Sequence, residues 1–318
     1  MDLLVKNIYK LKSKTSFKES GVLVVLIILC LLIGIKNPVF FSINNILNVL
    51  RQISVLSIVA VGEALIIITG GIDLSVGSSI ALGGVVCALL TNVGVNPWVA
   101  FIIAIICGAL VGAITGQIIV KFKINPFIVT LAMLNIIKGI AYLLTSGIPV
   151  RFEGPLTFLG GIVGLVPVPV ILMFMVIIIG HVFLTKTELG RQIFAVGGNE
   201  KAAKLSGIKV EKVKIFVYTL TGFLGAFAGV ITAGNLNTAD TAAGAGMELN
   251  VIAAVVIGGV SLSGGRGSVI GVIIGAAILG VIKNGFVLLA ISSNWQMITI
   301  GIVIILACAV DEFRRSRE

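Results

Sequence analysis

The residues that could perform chemistry are few, and their spacing forms no recognisable catalytic set. His181 is the one histidine, and no Cys, Asp or Glu stands at ligand spacing from it. The four cysteines, Cys30, Cys87, Cys107 and Cys308, lie in apolar runs without paired spacing, which favours a packing role. No Ser/His/Asp set and no pair of catalytic carboxylates falls in one plausible pocket, so we expect neither an enzyme nor a metal or cofactor site.

A glycine-rich segment at 262–266, LSGGR, looks like the signature loop of ABC ATPases, and its glycines could indicate a phosphate-binding loop. A loop of the G-x-x-x-x-G-K-[ST] type needs a lysine that reaches the terminal phosphates and a Ser or Thr for magnesium. Here Gly259 to Gly264 is followed by Gly265 and Arg266, and the chain has no Walker pair. The sequence therefore predicts that this polypeptide does not itself bind nucleotide.

Charged residues inside apolar sequence are the other chemically notable feature. A charge well inside a bilayer costs roughly 2.5 to 3.5 kcal/mol on insertion scales, so each needs a partner or water. Asp73 stands where a new helix begins, with Ser75 nearby, and we predict that it caps this helix; contact with a substrate hydroxyl or an ion is the alternative. Glu63 should face the interior of the helix bundle. The intramembrane cations Lys138 and Lys283 should pair with a carboxylate or reach an interface.

The elements that must position these residues are membrane helices. Of the 318 residues, 58% are hydrophobic and 11% charged, and the mean hydropathy is +1.19. No water-soluble domain of this size tolerates such values, and the continuous apolar runs require helices because backbone groups cannot stay unpaired in hydrocarbon. We therefore predict an all-α polytopic membrane protein whose single transmembrane domain covers residues 1–318. The ten predicted spans lie near 21–36, 50–70, 74–92, 97–120, 127–145, 169–185, 214–233, 248–260, 268–290 and 294–310.

The basic residues cluster on one side of this predicted topology. The segment before the first span is rich in lysine and no small-residue cleavage pattern follows it, so we interpret this span as a retained anchor. If ten spans are crossed, the positive-inside rule assigns the clustered side, with both termini, to the cytoplasm. The net charge of +10 then follows from topology and requires no nucleic acid. The clusters contain Lys6, Lys10, Lys12, Lys14, Lys18, Lys121, Lys123, the 186–214 segment, Arg266, Arg314, Arg315 and Arg317.

Two glycine-interrupted spans repeat each other in related halves of the chain. The segments 66–84, IIITGGIDLSVGSSIALGG, and 255–275, VVIGGVSLSGGRGSVIGVIIG, share an apolar run, a Gly-Gly pair, and Leu-Ser before further glycine. Glycine pairs let the backbone leave the helix, and the released groups must be buried in protein or face water. Six predicted spans lie between the copies, so both breaks should face the same side of the membrane. The breaking glycines are Gly70, Gly71, Gly258 and Gly259.

A basic polar stretch from Lys186 to Lys214 interrupts the apolar chain and should meet something in water. Within it, Asn199 can cap a short helix, and Gly207 can end that helix in the left-handed conformation. A two-turn helix is unstable alone, so packing against neighbouring protein should hold it. We predict a docking element, and a solvated connector is the alternative. The small apolar face available for packing consists of Ala202, Ala203 and Leu205.

Longer segments in a fixed order connect the chain to a known family. Together they cover nearly its whole length, and although each is weakly specific alone, the ordered set is very specific. The segments are FFSINNILNVLRQ at 40–52, ITGGIDLSVGS at 68–78, NPFIVTLAML at 125–134, TELGRQIFAVGGNEKAAKLSGI at 187–208, AGMELNVIAAVVIGGVSLSGGRGS at 245–268 and NGFVLLAISSNWQM at 284–297. With these segments, the chain resembles the membrane-spanning permease subunit of ribose-type monosaccharide ABC importers, in the branched inner-membrane permease family.

The resemblance implies an assembly in the plasma (inner) membrane. Two permease subunits, expected as a homodimer, would form a pore in the lipid bilayer. A cytoplasmic ABC ATPase would bind ATP and magnesium, and an extracytoplasmic sugar-binding protein would deliver the sugar. The resemblance also implies that 197–207 is a coupling helix resting in a groove of the ATPase, and its movement would switch the side to which the pore opens. The coupling residues expected on this basis are Gly197, Gly198, Asn199, Glu200, Ala202, Ala203, Leu205, Ser206 and Gly207.

Neutral polar and aromatic groups near the last two predicted spans could meet sugar hydroxyls, although Trp295 is equally an interfacial belt residue. An ion-coupled secondary transporter of a small polar solute is the alternative function, motivated by the intramembrane carboxylates and the broken helices. A structural or receptor subunit is disfavoured, because a passive anchor gains nothing from weakened helices. The residues expected along a translocation pathway are Glu63, Asp73, Ser75, Asn284, Asn294 and Gln296.

Overall fold

The structure is a computed structural model that describes residues 20–315. The five lysines before residue 20 and Arg317 lie outside the described residues. Helices dominate because a chain in an apolar environment must satisfy its backbone groups within each segment. The α-helices are α1 Ser20–Lys36, α2 Ile43–Ile68, α3 Val76–Asn92, α4 Pro97–Phe122, α5 Pro126–Thr145, α6 Val168–Lys186, α7 Glu188–Gly198, α8 Glu200–Leu205, α9 Val210–Leu236, α10 Met247–Ile257, α11 Val269–Leu288 and α12 Ser293–Arg315.

The long helices have the character expected of a membrane protein. In the described part of the chain, α2, α4, α5, α6, α9 and α11 are long and apolar enough to cross a bilayer. Shorter apolar helices accompany them, namely α1, α3, α10 and the Asn294–Leu306 part of α12. The predicted all-α polytopic class is therefore confirmed.

Helix α10 is the shortest of the described helices that correspond to a predicted span. The span predicted near 248–260 is an eleven-residue helix, Met247–Ile257. At 1.5 Å per residue this helix is about 16 Å long, whereas a bilayer core is about 30 Å thick. The helix cannot extend backwards because Gly244 and Gly246 have φ of +88° and +75°, which lie outside the helical region. The preceding turn packs instead against the start of α3, where a Cβ added at Gly77 would meet the carbonyl of Gly244.

Helix α9 packs against α2, α3 and α4 and lies at the centre of the bundle. Its contact with α4 depends on Gly108, Gly112 and Gly116, whose small-xxx-small spacing predicts close packing. A Cβ added at Gly108 would meet the carbonyl of Gly222, and one at Gly112 would meet that of Tyr218. The predicted tight packing is therefore confirmed, because the two backbones leave no room for a larger residue.

Two small β-pairings lie at the opposite end of α9 from α8. Strand β1 (Val150–Arg151) pairs antiparallel with β4 (Thr238–Ala239), and β2 (Ile162–Val163) pairs antiparallel with β3 (Val166–Pro167). Helix α9 begins just after α8 and ends just before β4, so it joins the two ends of the bundle. The sequence did not predict these strands, because two residues are too few to show a period.

Adding a methyl group at the α4–α9 contact should be costly. Gly112→Ala places a Cβ against the carbonyl of Tyr218, so we expect the melting temperature of the detergent-purified protein to fall, with a loss of about 1–3 kcal/mol in the free energy of unfolding. Gly139→Ala is the matched control, because a Cβ at Gly139 of α5 meets no atom within 4 Å. Equal melting temperatures for the two variants would contradict the tight contact.

Candidate functional site

The short helix α8 has both predicted caps. Asn199 Oδ1 accepts a hydrogen bond from the backbone N–H of Ala202 at 3.0 Å. At the other end Gly207 has a φ of +84°, and the N–H of Ile208 donates to the carbonyl of Ala203 at 3.1 Å. This pattern, together with the bond from the N–H of Gly207 to the carbonyl of Lys204, is a Schellman motif. We call residues 199–208 the capped turn.

The three apolar residues expected to form one face of the capped turn do not all point the same way. Ala203 is buried against the rest of the chain, whereas Ala202 is exposed and Leu205 is 90% exposed. An ion pair between Glu200 and Lys214 at 2.7 Å ties the turn to α9. Of these three apolar residues, only Ala203 packs within this chain, because a six-residue helix can turn only one side toward its own bundle.

The two glycines that begin the predicted coupling segment belong to a different helix. Gly197 and Gly198 are the last residues of α7, which the side chain of Thr187 caps at its start. A Cβ added at Gly197 would meet the carbonyl oxygen of Ile68 and the backbone nitrogen of Gly265. The predicted coupling helix 197–207 is thus shorter at its beginning, and Gly197 contacts both helix breaks instead.

Two buried carboxylates lie at the first break, residues 69–75: Asp73 within it and Glu63 on α2. Glu63 lies inside the bundle, as predicted, and its Oε1 accepts a hydrogen bond from the N–H of Asp73 at 3.0 Å. Asp73 Oδ1 accepts from the N–H of Ser75 at 2.7 Å and from its hydroxyl at 2.6 Å. Helix α3 begins at Val76 with Ser75 at the N-cap position. Asp73 therefore closes the turn before the helix and is not the N-cap residue itself.

The carbonyl of Ile72, released by the break, is satisfied by distant side chains. The hydroxyl of Tyr218 on α9 donates to it at 3.3 Å. The hydroxyl of Thr130 on α5 also lies 3.3 Å from it, while bonding to the carbonyl of Pro126 at 2.9 Å. Sequence analysis missed both residues, because neither has a motif and Tyr218 is 146 positions away. Among the described residues, no partner reaches the buried Oε2 of Glu63.

The second break, residues 258–268, contains several glycines whose backbones make close contacts. Gly259, Gly264 and Gly265 have φ of +85°, +83° and +73°, which require residues without a side chain. The N–H of Gly265 donates to the carbonyl of Ile68 at 2.8 Å. Ser268 then caps α11, because its hydroxyl accepts a hydrogen bond from the N–H of Gly271. The two breaks therefore lie side by side, as expected for breaks on the same side.

The six residues predicted for the pathway do not come together. Glu63, Asp73 and Ser75 share the buried first break, but Asn284 lies in the α2–α11 contact, where it exchanges two hydrogen bonds with Asn45 at 2.8 and 3.0 Å. The remaining pair is at the start of α12, with Asn294 exposed and Gln296 half-buried. In this conformation the buried members face protein and not an open channel.

An exposed stripe of polar residues lies instead on α5. Asn135, Lys138 and Tyr142 follow at i, i+3 and i+7, so they share one face, and all three are exposed. Lys138 and Lys283 were each expected to pair with a carboxylate or to reach an interface, and neither forms an ion pair with a described carboxylate. The spacing on α5 is a signal that sequence analysis could have used. We call Asn135, Lys138 and Tyr142 the polar stripe.

A cavity of about 610 Å³ opens at the end of α9 opposite the capped turn. It lies beside the β1–β4 pairing, and an exposed ion pair between Arg151 and Glu153 stands at its edge. The lining residues are Arg151, Phe152, Glu153, Gly154, Thr157 and Asn237.

Comparison with known proteins defines the class to which this architecture belongs. Residues 45–308 match the family model described as branched-chain amino acid transport system / permease component. This range includes both breaks, the capped turn and the polar stripe. The chain therefore belongs to this family of membrane permease subunits.

Individual relatives are permeases for sugars. The ribose import permease protein RbsC of Escherichia coli strain K12 is 45% identical over 94% of this chain and 95% of its own length. RbsC of Bacillus subtilis strain 168 is 44% identical over 90% of each chain. The galactose/methyl galactoside import permease protein MglC of Escherichia coli strain K12 is 38% identical over 96% of this chain and 97% of its own. The resemblance to ribose-type ABC importer permeases is confirmed. No solved structure matches the chain.

Removing the carboxylate of Asp73 should destabilise the protein. Asp73→Ala leaves the N–H of Ser75 buried without its acceptor, so we expect a loss of about 1–3 kcal/mol in the free energy of unfolding, measured by thermal unfolding in detergent. Asp240→Ala is the control, because Asp240 makes the same bond to the N–H two residues later in an exposed turn. An equal loss of stability in both variants would show that burial of the bond between the N–H of Ser75 and Asp73 adds nothing to its contribution.

Proposed function

We propose that this chain forms, with a second copy of itself, the membrane pore of an ATP-driven importer of a ribose-like monosaccharide. The identity to ribose permeases, 45% and 44%, against 38% for the galactose permease, supports ribose-like over galactose-like sugars. A cytoplasmic ABC ATPase supplies the energy, and an extracytoplasmic sugar-binding protein delivers the substrate. The ion-coupled alternative has no support among the three relatives named above, which are all called import permeases.

The proposed topology has ten membrane crossings with both termini in the cytoplasm of a cell bounded by the plasma (inner) membrane. Within residues 20–315, six long apolar helices and four shorter ones supply the crossings, with α10 completed by the non-helical segment before it. The capped turn and the second break then face the cytoplasm, together with Lys121 and Lys123 after α4, as the positive-inside rule requires. The cavity beside Arg151 faces the sugar-binding protein.

The capped turn is the proposed contact with the ATPase. It is held to its own chain by buried Ala203 and by the ion pair between Glu200 and Lys214, yet it presents Leu205 almost fully to solvent. A rigid, anchored turn that exposes a large apolar side chain has the form of a docking element, because a partner can bury that side chain without paying to order the turn. This exposure of Leu205 is the observation that carries the proposal.

The polar stripe is the proposed lining of the pathway. Lys138 is in the middle of an apolar span, where a charge exposed to lipid is costly, so this face needs water or another protein. Two copies of the chain that face each other through α5 would enclose the stripe in a water-filled pathway. Asn135 and Tyr142 would then offer neutral hydrogen-bonding groups to sugar hydroxyls, while Glu63, Asp73 and Ser75 support the adjacent break.

Docking can be tested at Leu205 in proteoliposomes that contain the ATPase and the binding protein. A charge there cannot be buried against the partner, so we expect Leu205→Asp to lower the ATP turnover stimulated by the ribose-loaded binding protein by about tenfold, while Leu205→Met leaves it unchanged. Ala203→Asp would test folding, because Ala203 faces its own chain. Normal stimulation with Leu205→Asp would overturn the docking assignment, and uptake without an ATPase would favour the ion-coupled alternative.

The pathway can be tested by thiol labelling in a chain whose four native cysteines are replaced by serine. We expect Lys138→Cys to react with a membrane-impermeant maleimide in the assembled transporter, because this position faces water. Ile136→Cys is the control, because Ile136 is at the same depth on another exposed face of α5, which contacts lipid. A bifunctional maleimide should also join two copies through position 138 and not through 136. Equal labelling of both positions would contradict the proposed lining.

A further inference from the structure

We propose that Gly197, Gly198, Gly264 and Gly265, here called the glycine junction, transmit movement of the capped turn to both helix breaks. This inference rests on the proposed function, since it assumes that the ATPase moves the capped turn. It gives a mechanical role to the LSGGR segment, which lacks the lysine of a G-x-x-x-x-G-K-[ST] phosphate loop. The four glycines are positioning residues for the transport cycle and do not contact the sugar.

The first step is that the two breaks are joined directly. The carbonyl of Ile68 at the end of α2 accepts a hydrogen bond from the N–H of Gly265 at 2.8 Å. A Cβ built on Gly264 would lie 3.0 Å from that same oxygen and 3.1 Å from the backbone nitrogen of Gly70. The second break therefore sits on the backbone of the first, with no side chain between them.

The second step is that α7 closes the same contact from the other side. The Cβ position of Gly264 is also 3.0 Å from the carbonyl oxygen of Gly197, and that of Gly265 is 2.9 Å from the backbone nitrogen and Cα of Gly198. A Cβ on Gly197 would meet Ile68 and Gly265 at once. Three backbones, from α2, α7 and the second break, thus converge at one point.

The third step is that the capped turn lies next to the glycine junction in the chain. Asn199, the residue that caps α8, follows Gly198 directly in the chain. Side chains can absorb a displacement by changing rotamer, whereas packed backbones cannot. A displacement of the capped turn therefore reaches Ile68 and Gly265 within two residues, and it reaches both halves of the repeat together. Coupling of this kind requires a contiguous physical contact, which the glycine junction supplies.

Neighbouring glycines offer a matched test in the assembled transporter. Gly197→Ala inserts a methyl group into the junction. Gly198 takes part in the junction through its backbone alone, and Gly198→Ala places a methyl group where no atom lies within 4 Å. With the ATPase and binding protein in proteoliposomes, we expect Gly197→Ala to keep ATPase binding and basal ATP turnover but to lose about tenfold in turnover stimulated by the sugar-loaded binding protein, a size typical of coupling free energies. Gly198→Ala should behave as wild type. Normal stimulation in Gly197→Ala, or an equal loss in both variants, would overturn the proposal.

A second measurement on the unmodified protein decides the matter if Gly197→Ala does not fold. Amide hydrogen exchange is measured on the complete transporter with and without a non-hydrolysable ATP analogue. We expect the analogue to change the exchange rates of peptides covering 68–75, 197–207 and 261–268 together. A change confined to 197–207 would overturn the junction while leaving the ATPase contact intact. If the wild-type chain bound no ATPase, the proposed function itself would fail, and the two failures are therefore distinguishable.

Discussion

Where a helix breaks inside this bundle, the released backbone N–H and C=O groups need hydrogen-bond partners within the protein. The rest of the structure depends on how the chain supplies these partners. Between α2 and α3 the released groups are bonded by buried side chains: Glu63 accepts from Asp73, and Tyr218 donates to the carbonyl of Ile72. Each such bond matters because an unpaired buried group costs about 1–3 kcal/mol. The carboxylates of Glu63 and Asp73 therefore have a structural role, whatever their role in transport.

The sequence predicted the features that depend on neighbours along the chain. Apolar composition requires helices, and the glycine pairs mark both breaks. The caps at Asn199 and Gly207 follow from local preferences that need no tertiary information. The close approach of α4 and α9 was also predictable in kind, because Gly108 and Gly112 leave one helix face without side chains.

The features that depend on distant residues were not predictable in the same way. Asn284 was expected to line a pathway, but its amide pairs with Asn45, 239 positions away, and no local pattern records that contact. Tyr218 looks like any aromatic residue of an apolar helix until the fold brings it to Ile72. Hydropathy marks Met247–Ile257 as apolar, but an apolar run does not reveal that left-handed glycines on both sides, Gly246 before it and Gly259 after it, limit the helix to eleven residues.

The contacts of the two breaks bear on the proposed transport cycle. The second break makes backbone contacts to Ile68 and α7, so it should move when they move. The first break is fixed by side chains, and its continuation into α3 reaches α5 through Ser78, whose hydroxyl donates to the carbonyl of Leu134 at 2.9 Å. Asn135, the first residue of the proposed pathway lining, follows directly. The hydrogen bonds of Glu63 and Asp73 hold the first break together. A displacement at Ile68 would therefore move residues 69–75 as a rigid unit and would not merely deform them. The proposed route from the capped turn to the proposed pathway thus consists of glycine contacts at one end and buried hydrogen bonds at the other.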